Sequence, residues 1–232
     1  METSSLSHSA YRMLKSLIIR CELLPGEQVS ERVLTTQYGL GRAAVRTALS
    51  RLSQDGLVRS VARRGYIIAP ITMEHVREIF GVRLLLEPPA AAMAARSATP
   101  TDLERLDELE SHCRNAKYEL GNRDDVEQFL QANTNFHVGV VALADNKRLA
   151  DMIWHLLEEM ERLFHIGLDL ADRNVEMQHE HHELIMALRA GDAEQAQRVA
   201  TAQIESSQTM VVNGLISSPA LATTNVTPAT GA

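Results

Sequence analysis

Apolar residues in the first third of the chain recur at the spacing of a helix. Leu14 and Ile18 belong to a pattern that predicts a helix over residues 7–19. The Pro25-Gly26 pair then predicts a turn, because neither residue favours continuing a helix. The chain therefore begins with a helix that ends at a defined turn.

Two further helices are predicted after this turn. Ser30 is a favourable N-cap for a helix that extends to Tyr38. Residues 39–41 contain two glycines and predict a tight turn, and a third helix is predicted over 42–54. The apolar stripe of this third helix consists of Val45, Ala48, Leu49 and Leu52.

Residues 57–70 have the composition of two short strands around a basic turn, closed by Pro70. The order of elements is thus helix, helix, tight turn, helix and two-stranded wing. This order predicts a winged helix-turn-helix, with a DNA-binding domain over residues 1–70.

From Met73 onward the pattern predicts one helix after another with short breaks between them. Short connections favour antiparallel neighbours, so the fold class is mainly α, a winged helix-turn-helix followed by an antiparallel all-α helical bundle. We place the bundle over 71–215 and expect the aperiodic tail, 216–232, to be disordered. The predicted bundle helices are 73–97, 101–119, 123–144, 147–169, 173–190 and 193–214.

Composition supports a helical protein of the cytoplasm. Hydrophobic residues make up 45% of the chain and aromatic residues 4%, which is typical of a helix-rich globular protein. Cys21 and Cys113 form no CxxC pair, so we expect free thiols in a reducing compartment. The sequence contains no run of about 18 apolar residues, and we therefore expect no membrane span.

Charge is divided unevenly between the two predicted domains. Residues 1–70 hold ten Lys and Arg against five Asp and Glu, whereas residues 71–232 hold thirteen against twenty-five. A basic module on an acidic remainder indicates polyanion binding by the first part, although arginines can also simply solvate a helix face.

The positions of the arginines favour a DNA interface. Arg42 and Arg46 lie four residues apart on one side of the third helix, where they could meet base edges in the major groove. Arg63 and Arg64 at the wing tip would reach the neighbouring backbone or minor groove, and Gly65 permits the tight turn.

The segments "LIIRCELLPGEQVSERVLTTQYGLGRAAVRTALSRLSQDGLV" and "RRGYII" resemble the DNA-binding domain of GntR-type bacterial transcription factors. The resemblance implies operator contacts by Arg32, Arg42, Arg46 and the wing at Arg64 and Gly65. The family pattern has Ser before the first recognition arginine and Thr-Pro after it, where this chain has glycine at 41 and alanines at 43 and 44. The operator of a relative is therefore not transferable.

The bundle resembles the FCD effector domain of the FadR-like branch of GntR regulators, in its shorter, VanR-like six-helix form. The segments that carry this resemblance are "FGVRLLLEPPAAAMAA", "NTNFHVGVVALADN" and "EHHELIMALRAGDAEQA". Many such domains hold a divalent metal, often zinc, on one Asp and three His near the effector carboxylate. The corresponding positions in this chain are Asn133, His137, His181 and Gln203.

Two imidazoles and two neutral amides are a poor zinc set. One hypothesis is that His137 and His181 form a satisfied interior network with weak metal binding or none. Another is a retained divalent-metal site, completed by water or ligand. We favour a cavity in which Asn133, Gln203 and the histidines bind a small effector directly. For Arg83 two roles are open, pairing with an effector carboxylate and a structural salt bridge with Glu87.

Together these patterns predict a ligand-responsive transcriptional regulator, a dimeric repressor that binds double-stranded operator DNA and is released or modulated by a small organic acid. The sequence has no HExxH motif, nucleophile elbow or phosphate loop, which argues against an enzyme. The alternatives are a metal-responsive regulator, a His-site metal enzyme and an architectural DNA-binding protein without an effector.

Overall fold

The structure, a computed structural model, describes residues 2–115, 123–165 and 174–217. The described residues form two compact units that divide between Thr72 and Met73. This division falls two residues after the end of the DNA-binding domain expected from the sequence.

The first unit is a three-helix module with a small antiparallel sheet. Its core contains the predicted stripe of the third helix, which is fully buried, together with Leu14, Ile18 and Leu34. Val33, next to Leu34 on the second helix, is 51% exposed and lies outside this core. The elements are α1 (Glu2–Ile19), β1 (Gln28–Val29), α2 (Glu31–Tyr38), α3 (Arg42–Gln54), β2 (Val58–Val61) and β3 (Gly65–Ile68).

The structure corrects two sequence-based expectations in this unit. The first helix begins at Glu2 rather than at residue 7. The wing sheet has a third strand, β1, which is two residues long and pairs antiparallel with β3, so that the strand order is β1-β3-β2. A strand of this length carries no detectable periodicity of its own, which explains why only two strands were predicted.

Local capping fixes the start of α2 and its turn into α3. The Ser30 side chain accepts a hydrogen bond from the Val33 N–H at 3.2 Å, as an N-cap serine does. Gly39 ends α2 in the left-handed region, with φ of 64°. Gly41 precedes α3 and offers no side-chain cap, so the amides that begin this helix stay available to solvent or a ligand.

The second unit consists, in its described residues, of six helices. Helix α4 packs along α9, and α6 contacts both α5 and α7. The predicted ends of two helices, at 119 and 169, lie outside the described residues. The elements are α4 (Met73–Ser97), α5 (Pro100–Asn115), α6 (Arg123–Ala142), α7 (Lys147–His165), α8 (Asn174–Arg189) and α9 (Ala193–Ser217).

The end of α9 corrects the position of the expected tail. This helix continues to Ser217, so residues 216 and 217 are helical rather than part of an aperiodic segment. The remaining residues of that segment, 218–232, lie outside the described part of the chain. Within the described part, every helix is too short or too polar to cross a membrane.

Candidate functional site

Two arginines of α3, Arg42 and Arg46, form an exposed cationic face in the first unit. The side chains of Arg42 and Arg46 are 76% and 63% exposed, and both lie beside Glu31 at the start of α2. Arg46 donates from Nε to Glu31 Oε1 at 3.1 Å and from Nη2 to Oε2 at 3.2 Å. The Nε of Arg42 lies 3.6 Å from Glu31 Oε2. One carboxylate therefore holds both guanidinium groups.

Glu31 serves to orient the arginines more than to stabilise the fold. The hydrogen bond from Arg46 lowers the pKa of Glu31 below its ordinary value, so the carboxylate is charged at neutral pH. An exposed ion pair contributes little to stability. Because Nε and Nη2 of Arg46 face Glu31, the Nη1 edge remains for an outside acceptor such as guanine O6 or N7.

We expect Glu31→Gln to lower the preference for operator over random DNA about tenfold, the effect of one poorly placed bidentate base contact. Affinity for random DNA should stay equal or rise, because a negative charge next to the phosphates has been removed. The measurement is fluorescence anisotropy with both duplexes at several salt concentrations. Glu22→Gln, which removes the same charge where Glu22 pairs with Arg20 at 3.4 Å, is the control. Equal behaviour of the two variants would contradict an orienting role for Glu31.

The wing places its basic residues at a tight turn between β2 and β3. Arg63 has a left-handed backbone, with φ of 64°, and the Arg64 N–H donates to Val61 O at 3.0 Å. Gly65 has φ of 87°, and a Cβ there would lie 2.5 Å from Val29 O. Gly65 is thus required by the packing of the wing on β1 rather than by a ligand. Arg32, on α2, is exposed, and its operator contact stays a prediction.

A cluster of buried polar side chains lies inside the second unit. Arg83 and Glu87, four residues apart on α4, form a buried ion pair with Nε–Oε1 at 2.5 Å and Nη2–Oε2 at 3.2 Å. The remaining arm of Arg83 points its Nη1 to Met160 Sδ at 2.8 Å. The structure thus contains the bridge from Arg83 to Glu87 that the sequence suggested, and a contact of Arg83 with an effector carboxylate stays a prediction.

The four positions taken from the FCD resemblance are all buried, on α6, α8 and α9. The Nδ1 of His137 lies 3.5 Å from Glu87 Oε2, which links this residue to the ion pair. The rings of His137 and His181 are 5.2 Å apart, and His181 stacks on Phe136 at 4.1 Å. Among the described residues, Asn133 Oδ1 and His181 Nδ1 are buried and have no hydrogen-bond partner. Gln203 is also buried, on α9.

Burial keeps both histidines neutral. Removal from water, together with the nearby Arg83 charge, lowers the pKa of His137 to about 3. Burial also lowers the pKa of His181 well below its ordinary value, with a smaller effect from His137. A neutral imidazole has one donor and one acceptor nitrogen. The cluster can therefore offer a ligand both kinds of hydrogen bond.

The donor set does not fit a tightly bound zinc ion. Two of the four inferred positions are Asn133 and Gln203, whose amide oxygens are weak zinc ligands beside imidazole. In the part of the chain that the structure describes, no three His, Cys, Asp or Glu side chains converge where a metal could be held. Of the four inferred positions, only His137 and His181 have side chains that bind zinc well. The Nδ1 of His181, which has no hydrogen-bond partner among the described residues, could equally accept a hydrogen bond from a small molecule.

The neutral histidines predict a loss of stability in acid. Between about pH 6.5 and pH 3 an unfolded chain binds protons that the buried imidazoles do not, so the free energy of unfolding falls as the pH is lowered through this window. The slope should reach about 1.4 kcal/mol per pH unit for each imidazole. Denaturant titrations with chelator present, followed by the fluorescence of Trp154, measure it.

His137→Gln should flatten this pH dependence, whatever its effect on stability at pH 7. His155→Gln is the control, because the His155 side chain is 70% exposed. An unchanged acid slope in His137→Gln would mean that this residue is not held neutral by burial.

Three residues were not identified from the sequence, one beside the recognition arginines and two buried in the second unit. Glu31 contacts arginines that lie in another helix, and no local pattern predicts that contact. Arg162 is only 2% exposed, and Thr134, also buried, donates to Glu161 Oε1 at 3.0 Å. The one available signal for Arg162 was its place among the apolar residues that follow Met160 on α7.

The chain is similar to known bacterial regulators along most of its length. The sequence profile of the family described as "Bacterial regulatory proteins, gntR family" matches residues 6–68, and that of the "FCD domain" matches residues 78–206. The HTH-type transcriptional repressor RspR of Escherichia coli (strain K12) is 24% identical over 203 residues, which cover 88% of this chain and 87% of RspR.

Two further comparisons agree with this assignment. The HTH-type transcriptional regulator LutR of Bacillus subtilis (strain 168) is 31% identical over 205 residues, covering 79% of this chain and 90% of LutR. The solved structure of E. coli McbR/YncC superimposes with a TM-score of 0.74 at 25% identity, covering 90% of this chain and 97% of that one. The protein belongs to the GntR family of bacterial transcriptional regulators, and its second unit is an FCD domain.

Proposed function

We propose that the protein is a dimeric, ligand-responsive transcriptional repressor. The observation that supports DNA binding is the pair of exposed arginines on the recognition helix α3, Arg42 and Arg46. Both are held by the carboxylate of Glu31 on α2. Repression is supported by the relative RspR, which is named as a transcriptional repressor. Release or modulation requires a ligand that binds the DNA-competent and DNA-free states with different affinity.

Helix α4 supports dimerisation through its outer face. Val82, Leu85, Pro89 and Met93 lie on one side of this helix, and Val82, Leu85 and Met93 are 36%, 73% and 44% exposed. The opposite side carries the buried residues that pack into the bundle. A helix that is apolar on both sides requires a second partner.

The charges at the two ends of this stripe favour a second copy of the chain as that partner. Glu78 and Arg96 are exposed at its start and end. Two copies of α4 can pair antiparallel at a small crossing angle, with the two-fold axis near residue 87. In this arrangement Glu78 of one copy meets Arg96 of the other, and Leu85 meets Pro89. A symmetric interface of this kind also suits two recognition helices on an inverted repeat.

Charge reversal tests this interface. Glu78→Arg should weaken the dimer, because it places like charges opposite each other, and Glu78→Arg with Arg96→Glu should restore it. Analytical ultracentrifugation over a range of concentrations is the measurement. Failure of the double variant to restore association would reject this pairing.

The buried cluster supports binding of a small effector, for which we propose an organic acid. Asn133 Oδ1 and His181 Nδ1 have no hydrogen-bond partner in the part of the chain that the structure describes. A buried polar atom in this state favours a ligand that supplies the missing hydrogen bond. The Nη1 of Arg83, which points to Met160 Sδ at 2.8 Å, is not paired with Glu87 and can donate to the carboxylate of an effector. We therefore propose that the effector is a small acid with a hydrogen-bonding group, bound without tight zinc.

The test is a gel shift with the DNA upstream of the protein's own gene, repeated with a panel of small organic acids. A specific shift that one acid releases is the expected result. A shift that no acid changes would reject the acid as effector while keeping the regulator. Zinc titration of chelator-treated protein is the parallel measurement, and stoichiometric submicromolar binding would reject the metal-poor site.

A further inference from the structure

A polar groove lies in the DNA-binding unit, between α1 and α3. Its volume is about 540 Å3. The hydroxyls of Ser7 and Thr47, the imidazole of His8 and the guanidinium of Arg51 line it, and small alanine side chains leave it open. The arginines of the exposed face and of the wing are not among its lining residues.

The lining of the groove suits a phosphate. Hydroxyl, imidazole and guanidinium groups can all donate hydrogen bonds, and phosphate oxygens accept them. Among the described residues that line the groove there is no carboxylate. Arg51 is held in place, because its guanidinium carbon lies 3.9 Å from the centre of the Tyr11 ring. The Tyr11 hydroxyl in turn donates to Asp55 Oδ2 at 2.7 Å.

The position of the groove on α3 relates it to the arginine face. Ala43, Thr47 and Arg51 are spaced by four residues, so they follow one side of the helix. Ala43 and Thr47 each come one residue after a recognition arginine, which turns this side about 100° from the arginines. When the arginines meet base edges, this flank faces a phosphate strand that borders the major groove.

We propose that the groove between α1 and α3 binds the sugar-phosphate backbone of the DNA strand beside the recognition helix. This contact rests on the DNA-binding function proposed above. It extends the interface to α1, and it adds affinity without sequence information because every phosphate is alike.

A carboxylate introduced into the groove tests the proposal. Thr47 is exposed in the middle of α3, so Thr47→Glu should fold normally and repel the phosphate. We expect affinity for operator and random duplexes to fall at least tenfold, and equally for both. Gln197→Glu is the control, because it adds the same charge at an exposed position of α9, outside the DNA-binding unit, and it should stay within twofold of wild type.

The outcomes separate this contact from the function on which it rests. Thr47→Glu within twofold of wild type, while Arg46→Ala loses binding, overturns the groove contact alone. A loss confined to operator DNA also overturns it, since that indicates a base contact. Wild-type protein that binds no DNA overturns both proposals. Arg51→Gln is the second variant. In this variant the slope of log affinity against log salt concentration should become shallower by about one, because one phosphate contact is lost. An unchanged slope would contradict the contact.

Discussion

Replacing Glu87 by glutamine should lower the free energy of unfolding of the FCD domain by about 3–5 kcal/mol. The variant keeps the shape of the side chain but leaves the Arg83 guanidinium, 2% exposed, without its counter-charge. A buried charge without a partner is among the most destabilising changes a domain can undergo. Denaturant unfolding followed by Trp154, the one tryptophan of the chain, reports on this domain directly.

The double variant Arg83→Met with Glu87→Leu separates stability from ligand binding. Removing both charges of a buried pair often restores most of the stability lost by removing one. We therefore expect a folded double variant that has lost its response to the acid effector. A cost below about 1 kcal/mol for Glu87→Gln would instead indicate that water reaches the pair and that the cluster is open.

Replacing Gly65 by alanine should reduce affinity for all DNA at least tenfold. The added Cβ would lie 2.5 Å from the Val29 carbonyl oxygen, and φ of 87° is unfavourable for any other residue. Since the contact is with backbone, the wing must move away from β1 rather than absorb the strain in a side chain. Arg63 and Arg64 would then leave the position from which they reach the DNA.

Gly56→Ala is the control for this variant. Gly56 has a similar φ of 75°, but an added Cβ meets no atom within 4 Å. It therefore carries the backbone penalty, about 1 kcal/mol, without the clash. Equal DNA affinities for the two variants in anisotropy titrations would mean that displacement of the wing does not matter for binding.

The parts of the fold that could be predicted are those encoded by local periodicity. Val45, Ala48, Leu49 and Leu52 recur at helical spacing, and the structure confirms all four as core. The winged helix-turn-helix followed by a helical bundle is confirmed for the same reason. The strand β1 was missed because two residues cannot show an alternating pattern. This strand nevertheless explains the glycine at position 65, since a Cβ there would clash with the carbonyl oxygen of Val29.

The parts of the sites that could not be predicted depend on contacts between distant segments. The arginines of α3 were identified from their spacing, but the carboxylate of Glu31 that orients them lies on another helix. Arg162 was missed because a charged residue on an apolar helix face is usually expected to turn towards solvent. Asn133 and His181 were located through the family resemblance, yet their lack of partners depends on the packing of α6 and α8.

The most direct test of the account is selection of duplexes from a random-sequence library by the full-length protein at physiological salt. We expect enrichment of one inverted repeat, with half-sites that contain guanine, and loss of that enrichment in Arg42→Ala and Arg46→Ala. Binding that depends steeply on salt but enriches no sequence would contradict it, because the arginine face would then read charge alone.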